Sequence, residues 1–229
     1  MTAKPRAIWY YDVISPYAYL QAMALPRLAE VLEITARPIL FAGLLKHWGH
    51  LGPAEIPAKR VFIYQHCLWL AGQRGLPFRM PPAHPFNPLG ALRLLTAMEA
   101  SPAQAAEALA FVFGGGEGVD GAAEVARLAQ RLGVSPETQA RAAGDAVKAE
   151  LRQATEDAIA AGVFGVPTFV VDGRVFWGDD SEGMLRSYLS DPAMDFTRAP
   201  TTFPRAKSNA ASGGVIFKQG SSSHELIRR

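Results

Sequence analysis

Three short stretches of this chain hold residue types whose order could do chemistry. The first is Ser15-Pro16-Tyr17, which follows an apolar, aromatic and β-branched run over residues 6–14. Serine followed by proline is the pattern of a helix N-cap with proline at the first helical position. A strand delivering the chain to such a helix start leaves unpaired N–H groups and the positive end of a dipole facing outward, which favours an anion. The Ser15 hydroxyl is therefore expected to cap the helix, and it is also placed to stabilise a negative charge. The second stretch is Gly165-Val166-Pro167-Thr168, directly before a β-rich run. The third is the acidic pair Asp179-Asp180, of which Asp180 suits the positive start of a closing helix.

Other chemistry is excluded by what the chain has little of. Cys67 is the only cysteine, so an intramolecular disulfide, a CxxC redox pair and a multi-cysteine metal site are all ruled out. No metal is expected. A hydroxyl cannot itself exchange disulfides, and Cys67 falls in a helical segment, where a buried, inert thiol is the expected state. The 23 basic and 21 acidic residues are interspersed and leave a net charge of +2, without the basic stripe that a phosphate backbone requires, so nucleic acid is not an expected partner. No apolar run approaches the roughly 20 residues that span a bilayer, and Asp12 interrupts the N-terminal apolar run where an export signal would continue. A soluble protein of a reducing compartment is expected, with no membrane association.

The elements that must position these residues follow from the pattern of the chain. Residues 6–14 suit a buried strand, a helix from Ser15-Pro16 should run to about Glu33 with a kink at Pro26, and Ile34 to Phe41 reads as a second strand. That is a βαβ unit, normally right-handed with parallel strands. From Pro57 to Ala161 apolar residues recur at three and four, as in Val125, Leu128, Ala129 and Leu132, and glycine or proline breaks divide the segment into five or six helices. Thr168 to Val171 and Arg174 to Trp177 flank Asp172-Gly173, a strong hairpin signal, and Asp180 to Leu189 reads as a closing helix. The order is βαβ, a helical block, then ββα. This is an α/β fold on a thioredoxin-like plan with an all-helical insertion. The expected divisions are 1–56 and 162–198 for the two halves of the thioredoxin-like domain, 57–161 for the insertion, and 199–229 for a flexible tail rich in Ser, Gly, Asn and Ala. On such a plan Pro167 should be cis and face the start of the first helix.

In that frame the chain resembles the family of 2-hydroxychromene-2-carboxylate isomerases and kappa-class glutathione transferases, within the DsbA-like thioredoxin fold. The likeness rests on Ser15-Pro16-Tyr17, on Gly162 through Phe169, and on Phe176-Trp177-Gly178-Asp179-Asp180, in that order, with Pro57-Ala58-Lys59 and Pro85-Phe86-Asn87 between them. It spans about residues 6 to 190. The resemblance implies glutathione as cofactor, with the Ser15 hydroxyl donating to its sulphur and helping to hold it as thiolate. It implies that Pro16 and Tyr17 lie near the thiol, that the Val166 backbone grips the cysteinyl unit, and that Pro167 sets the geometry. Asp180 would bind the γ-glutamyl amino group. Three positions depart from the family's pattern: His50 and Asp179 stand in place of more usual amides or serine, and Ser181 in place of a common arginine. His50 and Asp179 therefore alter the glutathione pocket: Asp179 beside Asp180 would add negative charge near the glutamyl carboxylate unless a cation or a protonated carboxyl compensates, and His50 is the candidate for that cation. Lys46 and Lys59 are candidates for attracting a substrate carboxylate.

The implied reaction is addition of the glutathione thiolate to an electron-poor alkene conjugated to a carbonyl, rotation, and departure of sulphur, giving cis-trans isomerisation of an aromatic substrate. The resemblance further implies a homodimer in a bacterial cytoplasm, engaged in breakdown of aromatic compounds. Conjugation, in which sulphur stays, is the neighbouring alternative. A non-catalytic thioredoxin relative that holds peptides or small thiols is the alternative from a different class.

Overall fold

The structure, a computed structural model, describes residues 3–193. The tail expected over 199–229 lies outside the described residues. Strand β1 (Arg6–Tyr11) buries Ala7, Trp9, Tyr10 and Tyr11, as a strand covered on both faces must. The helix after it is shorter than the sequence suggests: α1 (Pro16–Ala22) stops, and a separate turn, α2 (Leu25–Leu28), follows. Pro26 explains the break, because its ring clashes with the carbonyl four residues back, while the first turn of a new helix accepts it. Strand β2 (Glu33–Pro38) ends three residues before the expected Phe41, which instead opens α3 (Phe41–Trp48). Pro38 has no N–H with which to extend a ladder.

The middle of the chain folds into α4 (Pro57–Gln73), α5 (Leu89–Ala97), α6 (Pro102–Leu109), α7 (Ala122–Arg131), α8 (Pro136–Ala142) and α9 (Asp145–Ala160). Ser101 and Ser135 cap α6 and α8, each with proline at the next position. Buried Ala91, Leu92, Leu94 and Leu95 place α5 at the centre of this block, packed against α7, α8 and α9. The chain then returns to the sheet with β3 (Thr168–Val171) and β4 (Arg174–Trp177). Asp172 and Gly173 between them have φ of 49° and 74°, the left-handed pair that a tight two-residue hairpin turn needs. A 3₁₀ turn over Asp179–Ser181 leads into α10 (Glu182–Ser190).

The four strands stand in the order β2-β1-β3-β4, with β1 and β2 parallel and the pairs β1/β3 and β3/β4 antiparallel. This is the thioredoxin-like sheet. Its register matters for function, because Tyr10 lies opposite Thr168, so the chain leaving β1 and the chain entering β3 emerge at the same end of the sheet. Among the described residues no helix is long and apolar enough to cross a membrane.

Candidate active site

At that end of the sheet the first two stretches meet. Ser15 is the N-cap of α1 and its Oγ accepts from the Ala18 N–H at 3.2 Å, so it is a cap as the sequence suggests. The same hydroxyl lies 3.3 Å from the Val166 carbonyl oxygen and donates to it. The Val166–Pro167 peptide bond is cis, as expected. Ser15 and Val166 are both buried, at 7% and 8% exposure. A hydroxyl that accepts from a helix N–H is polarised toward donation, which strengthens the Ser15 bond to the Val166 carbonyl. Gly165 is required for this packing: a Cβ there would run into the Trp177 indole, which lies against the loop together with Phe164.

The loop that carries Ser15 is held from three sides by residues that sequence reasoning did not single out as functional. Asp12, wholly buried, accepts from the Ile14 N–H at 3.0 Å and from the Phe41 N–H at 2.9 Å, joining the loop to the start of α3. Burial raises its carboxyl to about 7 despite these two bonds. His84 Nε2 lies 2.8 Å from the Ile14 carbonyl oxygen, and its Nδ1 is 2.7 Å from the Tyr64 hydroxyl. A carbonyl can only accept, so the proton sits on Nε2, and the Tyr64 hydroxyl's hydrogen is shared between Nδ1 and the His84 carbonyl oxygen 3.1 Å away. Burial lowers the His84 pKa, which keeps the ring neutral in this role. Gln21 completes the frame: it accepts from Trp9 Nε1 at 2.7 Å and donates to the Gly178 carbonyl at 2.8 Å, linking β1 and α1 to the turn that carries Asp179 and Asp180.

The third stretch is brought to the same helix by the Gln21–Gly178 bond, and burial together with Cys67, Asp180 and Asp179 raises the Tyr17 phenol. Tyr17 is half-buried beside Ser15 and its hydroxyl lies 2.9 Å from His66 Nδ1. Cys67 is buried in α4, and desolvation pushes its thiol up to about 12, so it is protonated and inert at neutral pH, as expected. The cation that Asp179 requires proves to be Arg74 rather than His50. Asp179 is buried, and Arg74 at the end of α4 grips its carboxylate with two bonds of 2.8 and 2.5 Å. Asp180 beside it is exposed and so is free to meet a ligand.

His50 and Lys46 lie at the exposed far end of α3, and Lys59 in the exposed first turn of α4. Trp48 ties the end of α3 toward the site, since its Nε1 donates to the Val163 carbonyl at 3.0 Å, three residues before Val166. Lys59 and His66 are seven residues apart on α4 and so share one face of it. A cavity of about 380 Å³ opens elsewhere, between β2 and the helices α5 and α9, and none of the candidate site residues lines it. Among the described residues no cluster of three His, Cys, Asp or Glu could hold a metal ion.

A serine-tipped helix start facing a cis-proline loop defines a thioredoxin-like protein that has no cysteine at the helix start to attack a disulfide. The family model described as a DSBA-like thioredoxin domain matches residues 7–190, and the chain belongs to that family. It is 30% identical over 193 residues to 2-hydroxychromene-2-carboxylate isomerase of Sphingobium xenophagum, covering 80% of this chain and 97% of that protein. It is 27% identical over 216 residues to glutathione S-transferase kappa 1 of Rattus norvegicus, covering 85% and 95%. A solved structure of 2-hydroxychromene-2-carboxylate isomerase superposes with a TM-score of 0.71 at 24% identity, covering 82% of this chain and 96% of that one. The family resemblance read from the motifs therefore stands, and so does the fold.

Proposed function

We propose that the protein is a glutathione-dependent cis-trans isomerase acting on a conjugated alkene that arises in the breakdown of aromatic compounds. One observation carries the proposal: the Ser15 hydroxyl, capping α1, faces the Val166 carbonyl across the cis bond to Pro167. In this reading the cysteinyl N–H of glutathione takes over the Val166 carbonyl. That frees the Ser15 proton for the sulphur, which the helix dipole and Ser15 together hold as thiolate. Pro16 and Tyr17 flank the sulphur, and Asp180 receives the glutamyl ammonium. Arg74 neutralises Asp179, so a single acidic charge is left to face that amine. In this reading His50, just past the end of α3, contacts the peptide, and Lys46 and Lys59 draw in a substrate carboxylate. The thiolate adds to the alkene, the former double bond turns, and sulphur leaves.

The name of the glutathione transferase relative supports glutathione use, and that of the isomerase supports the reaction. Kappa-type conjugation is the same chemistry halted after addition. A homodimer in the cytoplasm belongs to the proposal; the apolar Val61 and Leu68, seven apart on α4 and 55% and 58% exposed, support pairing of two copies. Calorimetry with reduced glutathione, followed by product analysis on a cis-configured aryl enone, tests the reading. Heat on binding and a trans product free of sulphur are expected. A glutathione adduct as product would assign conjugation instead, and absence of binding would leave the non-catalytic alternative.

A further inference from the structure

Helix α4 carries a ladder of three rings that the loop frame and the thiol site do not use. Phe62, His66 and Trp69 stand at spacings of four and three and so share one helix face. The imidazole is stacked between the other two, its centroid 5.6 Å from Phe62 at 20° and 6.0 Å from Trp69 at 14°. Phe62 and Trp69 are 63% and 58% exposed, an uncommon amount of aromatic surface to leave in water. The strip is centred roughly a third of a turn round the helix from Val61 and Leu68, so it is distinct from the surface assigned to pairing. It also sits over the thiol site: His66 Nδ1 is 2.9 Å from the hydroxyl of Tyr17, the second residue of α1. The Tyr17 hydroxyl also meets the Cys67 thiol; in the tautomer where it donates to Nδ1, the ring proton is on Nε2, a donor within an otherwise aromatic surface.

We propose that this face of α4 is the acceptor subsite: Phe62 and Trp69 take flat aromatic electrophiles by stacking, and His66 Nε2–H donates to the acceptor's carbonyl oxygen. The reaction assigned to the subsite rests on the glutathione reading above. As sulphur bonds to the β-carbon, the alkene π pair moves to make the enolate, and negative charge collects on that oxygen. The His66 hydrogen bond strengthens as this charge grows, and no proton leaves the ring. After rotation the pair returns, the alkene reforms, and the carbon–sulphur bond breaks to release the same thiolate. Reactant and product have the same atoms, and nothing is oxidised or reduced.

The test compares cis-benzylideneacetone with ethylideneacetone, which has the enone without the ring, in the full chain with glutathione. Trp69→Ala should raise KM for benzylideneacetone about tenfold, change it less than about twofold for ethylideneacetone, and leave glutathione affinity unchanged. His66→Phe keeps the stack and removes the donor, so it should lower kcat about tenfold on both enones with little change in KM, and His66→Gln should restore part of the loss. Equal losses on both enones for Trp69→Ala, or an unchanged kcat for His66→Phe, would overturn the proposal. So would dissociation of a dimer by Trp69→Ala in sedimentation, which would make the face an interface. Saturation-transfer NMR of benzylideneacetone on the chain without glutathione separates the two readings. Contact that Trp69→Ala abolishes supports the subsite even if glutathione does not bind, and no contact with the wild type rejects it.

Discussion

The Ser15 hydroxyl reaches the Val166 carbonyl at 3.3 Å across 151 positions of sequence, closing the two halves of the sheet over one point. The same oxygen caps α1, so its removal should have two separable effects. Ser15→Ala is expected to lower stability by about 1 kcal/mol through the lost cap, which chemical denaturation will read. On the proposed role, in which the hydroxyl acts on the sulphur's charge rather than on the peptide, glutathione affinity should stay within a few-fold while turnover falls about tenfold or more. Unchanged turnover would reduce Ser15 to a cap.

Arg74 and Asp179 form the ion pair that the sequence left unpartnered, with the carboxylate side chain 6% exposed and the guanidinium 36%. Removing the cation strands a buried charge. Arg74→Ala should cost about 2–3 kcal/mol, less than a fully buried pair because the guanidinium keeps contact with water. It should also weaken glutathione binding by displacing Asp180. Asp179→Asn in the same chain should recover much of the stability, since no charge is then left uncompensated, and a double-mutant cycle measures the coupling.

Asp12 gives the protein a pH dependence opposite to that of a salt-bridged carboxylate. Its folded pKa of about 7 lies above the ordinary 3.8, so between those values the native state holds a proton that the unfolded chain has released. This group's contribution to stability is therefore greatest below pH 4 and is lost as pH rises through 7. Asp12→Asn cannot ionise, so its stability should be flatter across that window. It should also be lower at acid pH, because one of the two N–H donors now meets an amide NH₂. Denaturant titrations at several pH values will show both effects.

Cys67 should resist alkylation by iodoacetamide at pH 8 in the folded protein and react promptly once denatured. Burial and a thiol pushed up to about 12 leave almost no thiolate to attack. Rapid labelling of the native chain would contradict the inert role given to it.

Much of the frame was legible in the sequence because each signal was local. Ser15-Pro16 marked a strand-to-helix junction, Asp172-Gly173 marked a hairpin, and the glycine and proline breaks marked the helix ends. The end of α1 and the early end of β2 were misjudged where Pro26 and Pro38 terminate elements that the apolar pattern would continue. The supports of the site were not legible for a different reason. Arg74 meets Asp179 across 105 positions, His84 meets Ile14 across 70, and His66 meets Tyr17 across 49. Nothing in the local pattern around Arg74, His66 or His84 distinguishes them from solvated helix or loop residues. Asp12 lay in plain view, but an acidic residue at the end of a buried run reads first as an interruption.

The central claim is that the site lowers the pKa of a bound thiol through Ser15 and the start of α1. The direct measurement is ultraviolet difference absorbance of the glutathione thiolate, titrated with pH on the wild type and on Ser15→Ala. A bound thiol that ionises well below the value of about 8.5 for a free cysteine, and that moves back up in Ser15→Ala, is the predicted result. A thiol that titrates as it does in free glutathione, or identically in both proteins, would contradict the account.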